Sequence, residues 1–239
     1  MLNIKLLAGV EGLLFGISMF FFVLDRFGGP EGIRSRQLYM NASKSFHASQ
    51  EEPIAELHSE YPDMIGYLAV EGTVIDYPVM RDKTDSNGSY YYLSHNFRGD
   101  TDRAGCPFIR RSASLNDDLV EVFAHNNSDG TMFADLVKFE DEDFFRVNGC
   151  ITFNTDEGVR IYEVISVIDV EVPSEEFTYF GWSNFDSDDS EVEFLRQIYS
   201  ASEVECEEDF TTGRQYLLLV TCEYTHVNGR RAVIAVRTS

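Results

Sequence analysis

Along most of this chain the apolar residues fall in short runs bounded by Gly, Asn, Asp and Pro, and one long apolar run stands near the N-terminus. The clearest pair lies at the C-terminus, where residues 215–222 and 231–236 are rich in β-branched and aliphatic side chains. Between them Asn228-Gly229 is a strong turn signal, so the pattern predicts two strands joined by a loop. The same patterning predicts strands at 65–70, 73–80, 106–110, 119–124, 150–154, 160–170, 215–222 and 231–237. Eight short strands with few long helices suggest a closed or nearly closed β-barrel, a mainly β fold with short helices. Residues 131–138 and 142–146 suit short helices. The clearest helix spans 190–200, with Val192, Leu195, Ile198 and Tyr199 on one face, after an acidic stretch at 183–189.

The N-terminal part has a different texture. Residues 6–24 are mostly apolar and long enough to span a bilayer. Asp25-Arg26-Phe27 follows instead of a small-residue cleavage site, so an uncleaved signal-anchor with its N-terminus inside fits better than a removed signal peptide. Gly28-Gly29-Pro30 ends that run. Beyond it Ile33, Leu38, Tyr39 and Met40 suit a short amphipathic helix, and 51–61 suit another with proline in the first turn. The expected organisation is a membrane anchor at 1–27, a helical spacer or docked helices at 28–62, and a barrel domain at 63–239.

Charge narrows the function. The 239 residues carry 19 basic and 41 acidic side chains, a net charge of −22. Nucleic-acid binding needs cationic patches, so that class is disfavoured. The carboxylate clusters at 140–143 and 186–189 lack calcium-loop spacing and read as solvated loops. No phosphate-binding glycine loop or zinc spacing is present, and no cofactor is implied.

Candidate chemistry sits at strand ends. Cys222 closes one apolar strand, Arg230 and Arg231 open the next, and His125 follows the apolar run 119–124. A thiol beside a guanidinium favours the reactive thiolate, and the cation can also hold an oxyanion. Cys, His and Arg at three strand ends thus form a candidate nucleophile, acid/base and charge stabiliser. Of the other cysteines, Cys106 and Cys150 read as buried strand thiols, and Cys206 as blunted by the carboxylates around it. His47 and His58 read as surface residues, His95 follows an aromatic run, and His226 lies in a loop of poor preorganisation. Alternation places Arg230 and Arg231 on opposite faces, so only one can point at the thiol.

Leu218-Leu219-Val220-Thr221-Cys222 resembles the TLxTC signature of sortases, and the stretch from His125 through Gly130, Met132-Phe133 and Asp135-Leu136 resembles the HNxxxGxMFxDL stretch of class B sortases. Pro62-Asp63-Met64-Ile65-Gly66-Tyr67-Leu68, Gly72-Thr73-Val74-Ile75-Asp76-Tyr77-Pro78-Val79 and Tyr91-Tyr92-Leu93-Ser94-His95-Asn96-Phe97 are similar to further class B landmarks, in consistent order over roughly residues 50–239. Leu218 in place of threonine and Ala124 in place of glycine depart from the pattern without removing a reacting group.

The resemblance implies a sortase-type barrel with N-terminal helices and a helix inserted before the cysteine strand, facing outward from the membrane. It implies a cysteine transpeptidase of thiol-protease type, with Cys222 as nucleophile and His125 as acid/base. Arg231 is favoured over Arg230 because it runs directly into the apolar strand, as the family's arginine does. Leu93, Asn96, Thr221 and Glu223 are implied as groove residues, with Glu223 placed to orient Arg231. The implied substrates are surface proteins bearing an Asn-Pro-x-Thr type sorting signal. The acceptor would be an amine of a peptidoglycan precursor, or of a pilin lysine; water as acceptor would make the protein a plain cysteine peptidase.

Overall fold

The computed structural model describes residues 29–48, 53–84, 90–171, 177–224 and 228–239. Helix α1 (Gly29–Ala48) carries Pro30 in its first turn, where a missing N–H costs nothing, and α2 (Pro53–Glu60) begins on proline for the same reason. Strands β1 (Met64–Val70), β2 (Asp76–Arg81), β3 (Phe108–Ile109) and β4 (Leu119–Phe123) follow. Next come a 3-10 turn at Ala134–Glu140, helix α3 (Glu142–Val147), β5 (Cys150–Thr155) and β6 (Gly158–Glu171). Helix α4 (Asp188–Ser200), β7 (Tyr216–Cys222) and β8 (Gly229–Arg237) complete the chain.

The eight strands close into a barrel in the order β1-β2-β3-β4-β7-β8-β6-β5. Two pairings are parallel, β2 with β3 and β4 with β7, and the rest are antiparallel. The predicted eight-stranded barrel is borne out. Strand alternation divides the core in two. Val120, Val122, Leu217, Leu219, Val233 and Ala235 face the barrel interior. Their neighbours Leu119, Tyr216, Leu218, Val220, Ala232 and Ile234 face outward into a second apolar layer. Helix α4 covers that layer with Phe194, Leu195 and Ile198. It begins at a reciprocal cap between Ser187 and Ser190.

Helix α1 is docked on the barrel, which the sequence pattern leaves open. Tyr39 and Phe46 are buried in the main core, and the Phe46 ring stacks on Tyr67 with centroids 3.9 Å apart. At 20 residues the helix is much longer than the short one predicted. The apolar stretch 6–24 lies outside the described residues, as does His226. Among the described residues no helix is long and apolar enough to cross a membrane.

The four cysteines are free. Cys106 is buried as expected, and burial pushes its thiol pKa above the ordinary range. Cys150 is exposed, against expectation, because alternation along β5 sets it opposite the buried face of Ile151, Phe153 and Thr155. The Cys206 thiol pKa is also raised, but by burial rather than by the flanking carboxylates. Among the described residues no group of three or more His, Cys, Asp or Glu side chains is placed to hold a metal ion.

Candidate functional site

Parallel pairing of β4 with β7 sets Phe123 opposite Val220, and the Ala124 N–H donates to the Val220 carbonyl at 3.2 Å. Two side-chain bonds continue the alignment past the strand ends. Thr221 Oγ1 donates to the Ala124 carbonyl at 2.8 Å, and Asn126 Nδ2 donates to the Cys222 carbonyl at 3.1 Å. His125 is therefore fixed beside Cys222, although 97 positions separate the two in sequence. Alternation places both on the outer face: His125 continues the series of Leu119 and Phe123, and Cys222 that of Tyr216, Leu218 and Val220.

The β7–β8 register decides between the arginines. Cys222 pairs with Arg230, and Thr221 pairs with Arg231. Directly opposed residues of an antiparallel pair share a face. Arg230 thus stands on the outer face with Cys222 and His125, while Arg231 turns into the barrel. There Arg231 is only 6 % exposed; its Nε donates to Asp169 Oδ1 at 2.8 Å, and its Nη2 contacts both Asp169 and Glu140. Burial alone would lower the Arg231 pKa, but hydrogen bonding to Asp169 and the charges of Asp169 and Glu140 raise it overall. Its charge is consumed in an internal ion pair. The register thus sets Arg230 across from Cys222, whereas the resemblance read from the sequence favours Arg231 for the catalytic role. Among the described residues Arg230 is paired with no carboxylate, and its Nη1 donates to the Gly229 carbonyl at 2.9 Å. The hairpin that sets this register closes with the Glu223 N–H on the Gly229 carbonyl at 3.0 Å, and Asn228 takes the left-handed conformation at φ 57°.

The His125 ring is held on two sides. Its Nε2 donates to the Leu93 carbonyl at 2.7 Å, which leaves Nδ1 as the nitrogen available for proton exchange. Gly105 presses on the ring: a Cβ there would lie 3.1 Å from His125 Cδ2 and 2.8 Å from the Tyr92 carbonyl oxygen. Gly105 also has φ +67°, where a side chain is strained. Tyr224, 72 % exposed, donates its hydroxyl to the Asn126 carbonyl at 2.9 Å. Its pKa is raised, first by partial burial and then by the charge of Cys222, with Arg230 opposing, so the hydroxyl lies in the field of both.

Not every expected groove residue faces outward. Leu93 acts through its backbone on His125. Asn96 is buried, and its Oδ1 accepts from the backbone N–H groups of Arg98 and Asp100, so the side chain shapes its own loop. Thr221 is 3 % exposed and latches β7 to Ala124 from inside. Glu223 is buried on the inner-face series, and the carboxylates flanking Arg231 are Asp169 and Glu140. Phe123, missed from sequence, lies on the His125 face, its ring near-parallel to that of Tyr90 with centroids 6.3 Å apart. Counting back two positions from His125 was the signal that could have found it. Three other histidines have structural partners: His47 on Asp76, His58 on the Met64 carbonyl, and His95 stacked on Tyr91.

The closed eight-stranded mixed barrel, with Cys222, His125 and Arg230 at one end of its outer face, is similar in sequence and fold to proteins named Sortase B. The chain is 28 % identical over 184 residues to the protein named Sortase B from Listeria monocytogenes, covering 76 % of this chain and 72 % of the relative. Among solved structures, Clostridium perfringens sortase B matches with TM-score 0.68 at 28 % identity, covering 77 % of this chain and 99 % of the other. The Staphylococcus aureus sortase B–substrate complex matches in fold with TM-score 0.77 at 22 % identity, covering 87 % and 98 %. No protein-family model matches the chain. The resemblance to class B sortases holds in both sequence and fold.

Proposed function

We propose that this protein is a cysteine transpeptidase that cleaves an Asn-Pro-x-Thr type sorting signal after threonine and transfers the acyl part to a cell-wall amine. The observation that supports this reading most is the strand register, which gathers His125, Cys222 and Arg230 on one face from three separate strand ends. In this reading the Cys222 thiolate attacks the threonine carbonyl, and the tetrahedral oxyanion is met by the Arg230 guanidinium. His125, as imidazolium, gives the Nδ1 proton to the departing amine as the C–N bond breaks and a thioester forms. An incoming amine then attacks the thioester, His125 takes up its proton, and the thiolate leaves. The Phe123–Tyr90 shelf and the exposed Tyr224 flank the position of the acyl peptide. The 1–27 anchor and an outward-facing domain belong to the same proposal, resting on the apolar run 6–24.

The test uses fluorogenic Asn-Pro-x-Thr peptides with wild type and Cys222→Ala, followed by mass spectrometry with no amine, oligoglycine or a lysine-bearing pilin peptide. A Cys222-dependent acyl adduct resolved by oligoglycine supports cell-wall transfer, and resolution by the lysine peptide alone assigns pilus assembly. Equal hydrolysis whatever amine is present makes the protein a peptidase. Absence of any adduct overturns the reading.

A further inference from the structure

The cradle around His125 continues beyond the site. The segment 90–106 supplies the Leu93 carbonyl and the close-packed Gly105. Its far side rests on helix α1. Tyr39 donates its hydroxyl to the Gly105 carbonyl at 2.5 Å, and Ser35 Oγ donates to Asp102 Oδ1 at 2.5 Å. Asp102 in turn accepts from the Ala104 N–H at 3.0 Å and shapes the turn into Gly105. The loop that follows His125 meets the same helix: Arg36 Nη2 donates to the Asp129 carbonyl at 2.5 Å and lies 3.7 Å from Asp129 Oδ2. Asn127 ties the two loops together through the Ala104 carbonyl and Thr131 Oγ1. The loop also folds back on the histidine, with the Phe133 N–H on the His125 carbonyl at 2.9 Å. One stretch of helix α1, from Ser35 to Tyr39, therefore contacts both the segment that holds the ring and the loop that follows it.

We propose that Tyr39, through Gly105, and Arg36, through Asp129, are positioning residues for His125, so that helix α1 belongs to the support of the active site. This rests on reading His125 as the acid/base of the proposed reaction. Helix docking and ring positioning have separable causes. The docking is carried by Phe46 on Tyr67 and by the Tyr39 ring, which packs edge-on to Tyr77 at 5.4 Å and against Phe97 at 5.7 Å. The Tyr39 part of the positioning is carried by its hydroxyl, which is buried and donated to the Gly105 carbonyl. Deleting that oxygen leaves the ring packing in place and frees the Gly105 peptide to move against the imidazole. Shifts of about 1 Å in a reacting group are enough to lower turnover severely, by up to about a hundredfold.

The test compares the full chain with Tyr39→Phe, Arg36→Leu and the docking control Phe46→Leu. Readouts are melting temperature, kcat and KM for the peptide, and the nitrogen-15 resonances of the His125 ring across pH. The expected result is a kcat about tenfold lower in Tyr39→Phe at unchanged KM, with a displaced His125 Nε2 resonance. Arg36→Leu should show the same pattern, with Arg36→Lys recovering part of it. Phe46→Leu should lower the melting temperature with the His125 resonances unmoved. Unchanged resonances and kcat in Tyr39→Phe, with only a lower melting temperature, would overturn the proposal and leave Tyr39 structural. If His125→Ala proves as active as wild type, the acid/base reading falls, and the resonances alone still decide whether α1 positions the ring.

Discussion

Exchanging the roles of two adjacent arginines is the sharpest consequence of the register. Arg231→Ala removes the partner of Asp169, whose side chain is 12 % exposed, and of Glu140, which is 48 % exposed. Glu140 can turn to water, so the cost falls on Asp169. Breaking a buried ion pair by deleting one partner costs about 3–5 kcal/mol, and the partial access of Asp169 favours the lower end. For a chain of this size that corresponds to a melting temperature about 6–12 °C lower. The folded fraction should still acylate, because the outer face is untouched. Arg230→Ala should do the reverse. Its guanidinium contacts no carboxylate among the described residues, so stability should change by less than about 0.5 kcal/mol. Loss of an oxyanion donor should lower kcat/KM by about 10²–10³. Differential scanning calorimetry beside single-turnover acylation at a temperature where both variants are folded separates the two effects. An Arg231→Ala enzyme that is inactive yet thermally normal, with Arg230→Ala fully active, would refute the register argument.

Three further outcomes follow from the site. Gly105→Ala places a methyl group against the Tyr92 carbonyl and the His125 ring at φ +67°, and should cost about 1–2 kcal/mol by urea denaturation while lowering kcat more than KM changes. Thr221→Val keeps the shape but leaves the buried Ala124 carbonyl without its donor; a loss of about 1–3 kcal/mol is expected, with a changed Cys222 alkylation rate. The Glu121 pKa is raised by burial, against the opposing pull of Arg110 and the Gly181 N–H. A carboxylate whose folded pKa is raised contributes stability below its unfolded pKa and loses it as pH rises through the folded value. Urea midpoints should therefore show a downward component over that window that Glu121→Gln abolishes, and identical pH slopes in both proteins would contradict it.

Much of this protein is written locally in its sequence. Strand-length apolar runs fixed eight β elements to within a few residues, because alternation and turn residues act over short distances. The thiol after Val220-Thr221 and the imidazole after an apolar strand were legible for the same reason: each sits at the end of a run whose period is visible. The choice between Arg230 and Arg231 was not. Their side chains differ by one position, strand side chains alternate with period two, and only the hairpin register across 223–229 assigns a face. The same alternation turned Thr221 from an expected groove residue into an internal latch. The bringing together of His125 and Cys222 is likewise tertiary, since it depends on β4 pairing in parallel with a strand nearly a hundred residues later. Helix α1 is the largest such case. Its polar pattern suits a spacer, and only the folded barrel presents the Gly105 and Asp129 carbonyls that make Tyr39 and Arg36 part of the site.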